Sequence, residues 1–333
     1  MPFLTKRLDS RSMDVRIPSA AGAESSLLWE GDVYRPSRAL ESGVEVPGFG
    51  QSIQRRLCGS AECVSTWTVP WRKRRRPIFE GQWGCSGRCV LAMVRAAMSR
   101  ELGEGDAGMA TAPHRHRVPL GLVLLAQGWI THPQLRQALK SQRVSGRGRI
   151  GEWLMAECGL EAEQITRGLS LQWSCPVLPV RGFVPEAMAL VMPKVFVEEF
   201  GLLPLRVVGS RILYMGLEDR LDASAALAME QMTQLKVESG LVDSAQFRVA
   251  RSQLLQCDAV ETKLEAVVST TALGARVTAL LEQRQPVASR LVRLHQYYWL
   301  RVWLESGATG RCGTLPKNGE DVQDYVFSIG DRA

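Results

Sequence analysis

Four cysteines carry the clearest chemistry in this sequence: Cys58 and Cys63 are separated by four residues, Cys85 and Cys89 by three, and 21 residues lie between the pairs. Two closely spaced thiol pairs are the pattern by which a turn and a helix start each contribute two ligands to one metal ion. A thiolate at a helix N-terminus is stabilised by the helix dipole and by the cation, so one ion can organise a segment with little core of its own. Four sulfurs close a tetrahedron and leave no open position, which makes the expected ion a structural Zn2+ rather than a catalytic one. Two reduced cysteine pairs without metal are the competing reading. Cys158, Cys175, Cys257 and Cys312 are isolated in sequence and read as core residues.

The elements around the pairs fit that role. Ser65–Val69 and Pro77–Glu80 flank the run Arg72-Lys73-Arg74-Arg75-Arg76 and read as a hairpin, and Val90 to Met98 is strongly helical. Turn, hairpin and ligand-bearing helix together resemble a treble-clef zinc finger, in particular through Cys85-Ser86-Gly87-Arg88-Cys89. The basic run reads first as a solvated hairpin tip and second as a contact for phosphates or anionic surfaces.

A second constellation is an internal repeat. Leu120-Gly121-x2-Leu124-x3-Gly128-x6-Leu135-x3-Leu139-x2-Gln142 aligns with Ile150-Gly151-x2-Leu154-x3-Cys158-x6-Ile165-x3-Leu169-x2-Gln172. Each copy reads as two short helices joined by a tight turn, with Gly128 as a stop and Thr131/Gln134 as a capping box that opens the helix through Gln142. Pro185 opens a helix toward Met192, and Pro193 another ending near Gly201. Strands fit Leu203–Val208 and Arg211–Leu217 around a Gly209-Ser210 turn of type II′. A helix near Ala223–Met232, a strand near Gln234–Glu238 and a helix opened by Asp243 with Gln246 follow. Beyond Cys257, Glu261–Glu282 reads as one long amphipathic helix, and Trp299, Val302, Trp303 and Val326 lie in segments able to pair as strands.

The tandem motif resembles the MshEN domain found at the N-terminus of type II secretion and type IV pilus ATPases, and the resemblance extends through Leu202-Leu203-Pro204-Leu205 and Asp219-Arg220-Leu221-Asp222 to cover residues 118–257. It implies docking to secretion or pilus machinery proteins. It also implies cyclic di-GMP as a ligand, held by Leu120, Gly121, Leu135, Leu139 and Gln142 of the first copy and by Arg149, Ile150, Gly151, Ile165, Leu169 and Gln172 of the second. Two positions depart from the motif: its opening Arg is Pro119 in the first copy, and its inner Gly is Cys158 in the second. Arg149 keeps its place, and Arg117 stands near the vacated one.

The ATPase engine itself has no counterpart. A phosphate loop needs a lysine directly after a glycine, and none of Lys6, Lys73, Lys140, Lys194, Lys236, Lys263 and Lys317 follows one. His114, His116, His132 and His295 show no sequence pairing with a nucleophile and an orienting acid, so the expectation is a protein without enzymatic activity. Residues 1–117 hold 18 Lys+Arg against 12 Asp+Glu, so most of the net charge of +7 lies there. That asymmetry supports an alternative function class, a zinc-containing nucleic-acid-binding regulator using Arg72–Arg76.

No apolar run of membrane-spanning length is present and the first ten residues carry Lys6, Arg7 and Asp9, so membrane insertion is not expected and a cytoplasmic location is. The expected organisation is loosely ordered residues 1–50, a zinc-finger module at 51–102, a linker at 103–117, the MshEN-like domain at 118–257, and a C-terminal helix and strand pair at 258–333. The fold class is α+β: a tandem helix-pair repeat followed by a small α/β sandwich and preceded by a zinc-ribbon or treble-clef-like module.

Overall fold

The computed structural model describes residues 58–63, 77–103, 117–220, 222–304, 316 and 318–330, all within the unit Pro47–Ala333. Residues 1–50, Ser65–Val69, Arg72–Arg76, His114, His116 and Cys312 lie outside them.

The chain's mixed α+β character is plain among these residues. Strands β1 (Ile78–Phe79) and β2 (Gln82–Trp83) form a minimal hairpin whose turn residues Glu80 and Gly81 both have positive φ, 48° and 77°, as a two-residue turn matched to strand twist requires. Strand β1 pairs with the adjacent β2; Ser65–Val69, its expected hairpin partner, lies outside the described residues. Helix α1 (Gly87–Leu102) starts where the Ser86 hydroxyl accepts from the Cys89 amide and stops at Gly103 with φ 74°.

The repeat folds as α2 (Leu120–Ala126), α3 (His132–Ser145), α4 (Ile150–Cys158) and α5 (Ala162–Trp173). Thr131 and Gln134 make the expected capping box. Helix α3 packs on α4 and α2 on α5, so the two copies interlock. Between them Leu120, Leu124, Leu135, Leu154 and Ile165 form one apolar core.

Next come α6 (Pro185–Met188), α7 (Lys194–Phe200), β3 (Leu203–Val208), β4 (Ile212–Leu217), α8 (Ala223–Thr233), β5 (Lys236–Leu241) and α9 (Ser244–Gln256). Helix α6 ends four residues before the expected Met192, where a turn bonds the Val191 amide to the Met188 carbonyl. The β3–β4 turn has positive φ at both Gly209 and Ser210, 59° and 53°, which makes it type I′ and corrects the expected II′. Strand β5 begins after Gln234, whose positive φ of 60° ends α8, and pairs parallel with β4.

The last segment differs most from expectation. Glu261–Glu282 is not one helix: β6 (Glu261–Val267) is followed by α10 (Thr270–Arg284), with the Ser269 hydroxyl accepting from the Ala272 amide at the boundary. Glu261-Thr262-Lys263-Leu264-Glu265-Ala266-Val267 alternates with period two, the strand signature, although Glu261 and Glu265 also stand four residues apart, as on a helix's polar face. Strands β7 (Ala288–Leu294), β8 (Tyr297–Trp303) and β9 (Val322–Ile329) complete a four-stranded sheet of order β6-β9-β8-β7, in which β6 runs parallel to β9. Trp299, Val302 and Trp303 lie on β8 and Val326 on β9, as expected.

This sheet ties the chain together. One face, with Val292, Trp299 and Val326, joins the core of Phe196, Leu203, Leu213 and Met229. The other, with Leu291, Tyr298, Leu300 and Phe327, is covered by Leu273, Val277 and Leu281 of α10 and by Val90, Val94 and Met98 of α1. The cysteine-bearing helix therefore shares a core with the C-terminal sheet. On the opposite face, beside Trp299 and Val326, Arg301 and Asp324 form a buried bidentate pair at 2.8 and 2.7 Å; Trp299 Nε1 also donates to Asp324 at 2.8 Å and Arg301 to the Val191 carbonyl at 3.0 Å.

Candidate functional site

Two sites emerge, and the first is the cysteine cluster. Cys58 and Cys63 bracket a turn in which the Cys63 amide donates to the Ser60 carbonyl at 3.1 Å, while the Gly59 amide donates to the Trp83 carbonyl at 2.8 Å and so fixes the turn to β2. Gly59 is required there: a Cβ would stand 2.5 Å from Cβ of Gln82. Cys85 precedes α1 and Cys89 lies in its first turn, which brings the second pair to the positive end of the helix.

All four Sγ atoms fall within 4.8 Å of one another. Cys63 to Cys85 is 3.6 Å, Cys85 to Cys89 is 3.5 Å, and the Cys85 amide donates to Cys58 Sγ at 3.3 Å. A disulfide would need about 2.05 Å. A tetrahedral ion with metal–sulfur bonds of about 2.3 Å sets its sulfurs about 3.8 Å apart, close to what the cluster shows. Burial and the neighbouring thiols push the Cys85 thiol up to about 12, whereas the hydrogen bond with Ser86 leads those that bring Cys89 down to about 7. The residues present fit a metal ion. Of the remaining described cysteines, Cys175 is buried as expected of a core residue, and Cys158 and Cys257 are half-buried.

The second site is an open cleft of about 420 Å3 beside the repeat. Leu120, Arg149, Ile150, Gly151, Ile165, Leu169 and Gln172 all border it. Gly121, Leu135, Leu139 and Gln142 lie away from it. Gly121 meets Leu135 so closely that a Cβ would approach a leucine methyl to 2.6 Å, and Leu139 packs against the same core. The two glutamines have matching tasks. Gln142 Nε2 donates to the Gly148 carbonyl at 3.0 Å, just before the start of α4, and Gln172 Nε2 to the Val118 carbonyl at 2.7 Å, just before the start of α2. Each copy thus fastens the entry of the other.

The departures from the motif have structural answers. Pro119 is the N-cap of α2, and Arg117 spreads its guanidinium 3.4 Å over the ring of Trp173, a cleft residue. Cys158 is the last residue of α4, and the left-handed stop is Gly159, φ 68°.

Sequence reasoning missed the opposite wall. Glu218, Asp219, Arg220, Ser244 and Arg248 face the repeat across the cleft, and Arg149 is paired with Asp219 at 2.6 Å. Nothing in the spacing announces this pair, because it is made only when the β4–α8 loop folds back on α4. Arg149, Glu218, Asp219 and Arg220 also border a neighbouring cavity of about 520 Å3, with Phe200 and Asp222 beyond them. There the Asp222 carboxylate receives the Ser224 hydroxyl at 2.8 Å and His295 Nε2 at 2.6 Å. Serine and histidine both address the carboxylate, so this arrangement puts no base against the hydroxyl.

Among the described residues no helix is long and apolar enough to cross a membrane. A scan against protein-family models and a search of the curated proteins give no match. Among solved structures the chain is similar to MshE with cdg, at 26% identity and a TM-score of 0.35 over 41% of this chain and 99% of that one. It is also similar to the N-terminal domain of XpsE, at 20% identity and a TM-score of 0.28 over 40% and 92% of the two chains.

Proposed function

We propose that this chain is a non-catalytic regulatory or adaptor protein of the cytoplasm, related to type II secretion and type IV pilus machinery. Its helical repeat docks machinery proteins and takes an anionic nucleotide of the cyclic di-GMP class, and its four cysteines hold a structural Zn2+. The observation that carries the reading is the cleft. The opening of the second motif, Arg149-Ile150-Gly151, and the motif's Leu169 and Gln172 border one open space with Arg220 and Arg248. Backbone at a helix start and nearby guanidinium groups suit a phosphate-bearing ligand, while Leu169 and Trp173 offer apolar surface to a base.

The first half-site supplies less. Pro119 has neither guanidinium nor amide hydrogen, and a hydrogen bond to a charged group is worth roughly 1.5–3 kcal/mol, so affinity falls by about ten- to a hundredfold against an intact motif pair. The lack of any lysine after a glycine supports the absence of ATP turnover.

Zn2+ bound by Cys58, Cys63, Cys85 and Cys89 supplies cross-linking and no open coordination position. The chain's own part is to present Cys85 and Cys89 at the start of α1 and to hold the Cys58–Cys63 turn on β2.

Calorimetry of the full chain with cyclic di-GMP tests the reading. Weak binding that disappears in Arg149→Ala is the expected result. Tight binding indifferent to Arg149→Ala would show that the motif residues do not carry recognition, and no binding at millimolar ligand would reduce the cleft to a protein-docking surface.

A further inference from the structure

Strand β6 is the outer strand of the four-stranded sheet, with β9 on one side and no described strand on the other. At the opposite edge the β1 hairpin covers β7, through the Glu80 amide to the Ser289 carbonyl at 2.8 Å. The Val267 carbonyl accepts from the Gly330 amide beyond β9, so Val267, and with period two Glu265, Lys263 and Glu261, turn their backbone groups toward β9. Thr262, Leu264 and Ala266 consequently aim their amides and carbonyls out of the sheet. The edge is also apolar where it is open: Leu264 is 52% exposed and Val268, just past its end, 81%.

Charges on an edge usually forbid pairing. Here they select one partner in one register. If a second β6 lies antiparallel with Leu264 opposite Leu264, the outward residues form hydrogen-bonded pairs, Leu264 with itself and Thr262 with Ala266. The intervening non-hydrogen-bonded pair, where side chains approach most closely, is then Lys263 opposite Glu265 on both sides of the axis. Sliding by one step in either direction puts Lys263 against itself with Glu261 against Glu265, or Glu265 against itself.

From this complementarity we infer that β6 is a self-association edge, and that two copies of the chain join their sheets across the Leu264 pair into one continuous eight-stranded sheet. Glu265 already receives Arg276 at 2.7 Å, which holds its carboxylate upright on the α10 face where the partner's lysine arrives.

Sedimentation velocity on the full chain, from about 1 to about 100 μM, is the test. A reversible dimer is expected. Leu264→Pro removes an outward amide that the β9 ladder does not use, a substitution edge strands tolerate, and should give a monomer with unchanged circular dichroism. Lys263→Glu and Glu265→Lys should each weaken the dimer at least about tenfold. Their equimolar mixture should restore it, because both contacts between positions 263 and 265 are then complementary, one in the original sense and one with its sign reversed. A monomer at all concentrations, a dimer untouched by Leu264→Pro, or a mixture no tighter than its folded components would overturn the inference.

Discussion

Replacing Asp324 by Ala should be among the most damaging single changes available to this protein. Asp324 is fully buried and Arg301 is 2% exposed, so the substitution leaves a guanidinium charge in the interior with the Val191 carbonyl and the Trp299 ring beside it but no counter-charge, and Trp299 Nε1 without the Asp324 acceptor. Breaking one side of a buried ion pair costs about 3–5 kcal/mol, against at most about 1 kcal/mol for an exposed pair. For a unit of this size each kcal/mol moves the midpoint by ~2–4 °C, so thermal unfolding should shift down by about 10 °C. Because Val191 belongs to the core that α7 and β3 share with the sheet, the loss should be cooperative, with the near-ultraviolet signal of Trp299 and the far-ultraviolet signal falling together. Arg301→Met combined with Asp324→Leu should recover part of the loss, since no charge is then stranded. A cost for Asp324→Ala below about 1 kcal/mol would refute the argument, because it would mean that water reaches Arg301.

The remaining expectations concern the metal, the repeat and pH. Protein purified without chelator should carry about one metal ion per chain, and Cys63→Ser or Cys85→Ser should make residues 55–100 protease-sensitive while the helical repeat stays folded; metal content near zero would defeat the cysteine reading. Gly168→Ala should destabilise the repeat by about 1–3 kcal/mol, because its Cβ would stand 2.6 Å from a methyl of the fully buried Leu124; urea titration gives the value, and an unchanged midpoint would show that the helices can separate freely. Two carboxylates are held below their ordinary range: Asp222, where burial is outweighed by the Ala225 amide, Ser224 and His295, and Glu265 through Arg276. A depressed folded-state value stabilises above the unfolded value and is lost as pH falls through the folded one, so stability should drop below about pH 4 and drop less in Asp222→Asn; equal slopes would contradict it.

Local chemistry was legible in the sequence wherever a few neighbouring residues decide the backbone. Thr131 with Gln134 and the glycine stop at Gly128 placed helix ends because caps act over one turn, and the thiol spacing gave the cluster that the fold assembles. Strand β6 was hidden because Glu261, Lys263 and Glu265 put charge on an open edge, where burial no longer sorts polar from apolar faces. The cover that α1 gives the C-terminal sheet and the Arg149–Asp219 pair join residues far apart in sequence, and no local pattern encodes such meetings.

The reciprocal glutamines set a limit on how this repeat can grow. In a solenoid each unit leaves a free face for the next, and units accumulate. Here Gln142 fastens the entry of the second copy and Gln172 the entry of the first, so the pair is a closed ring of two with no end at which a third could be added. A single copy would leave one entry carbonyl and one glutamine without each other, and half of an apolar core open to water. The duplication is therefore the smallest folding quantity of this motif as well as the largest.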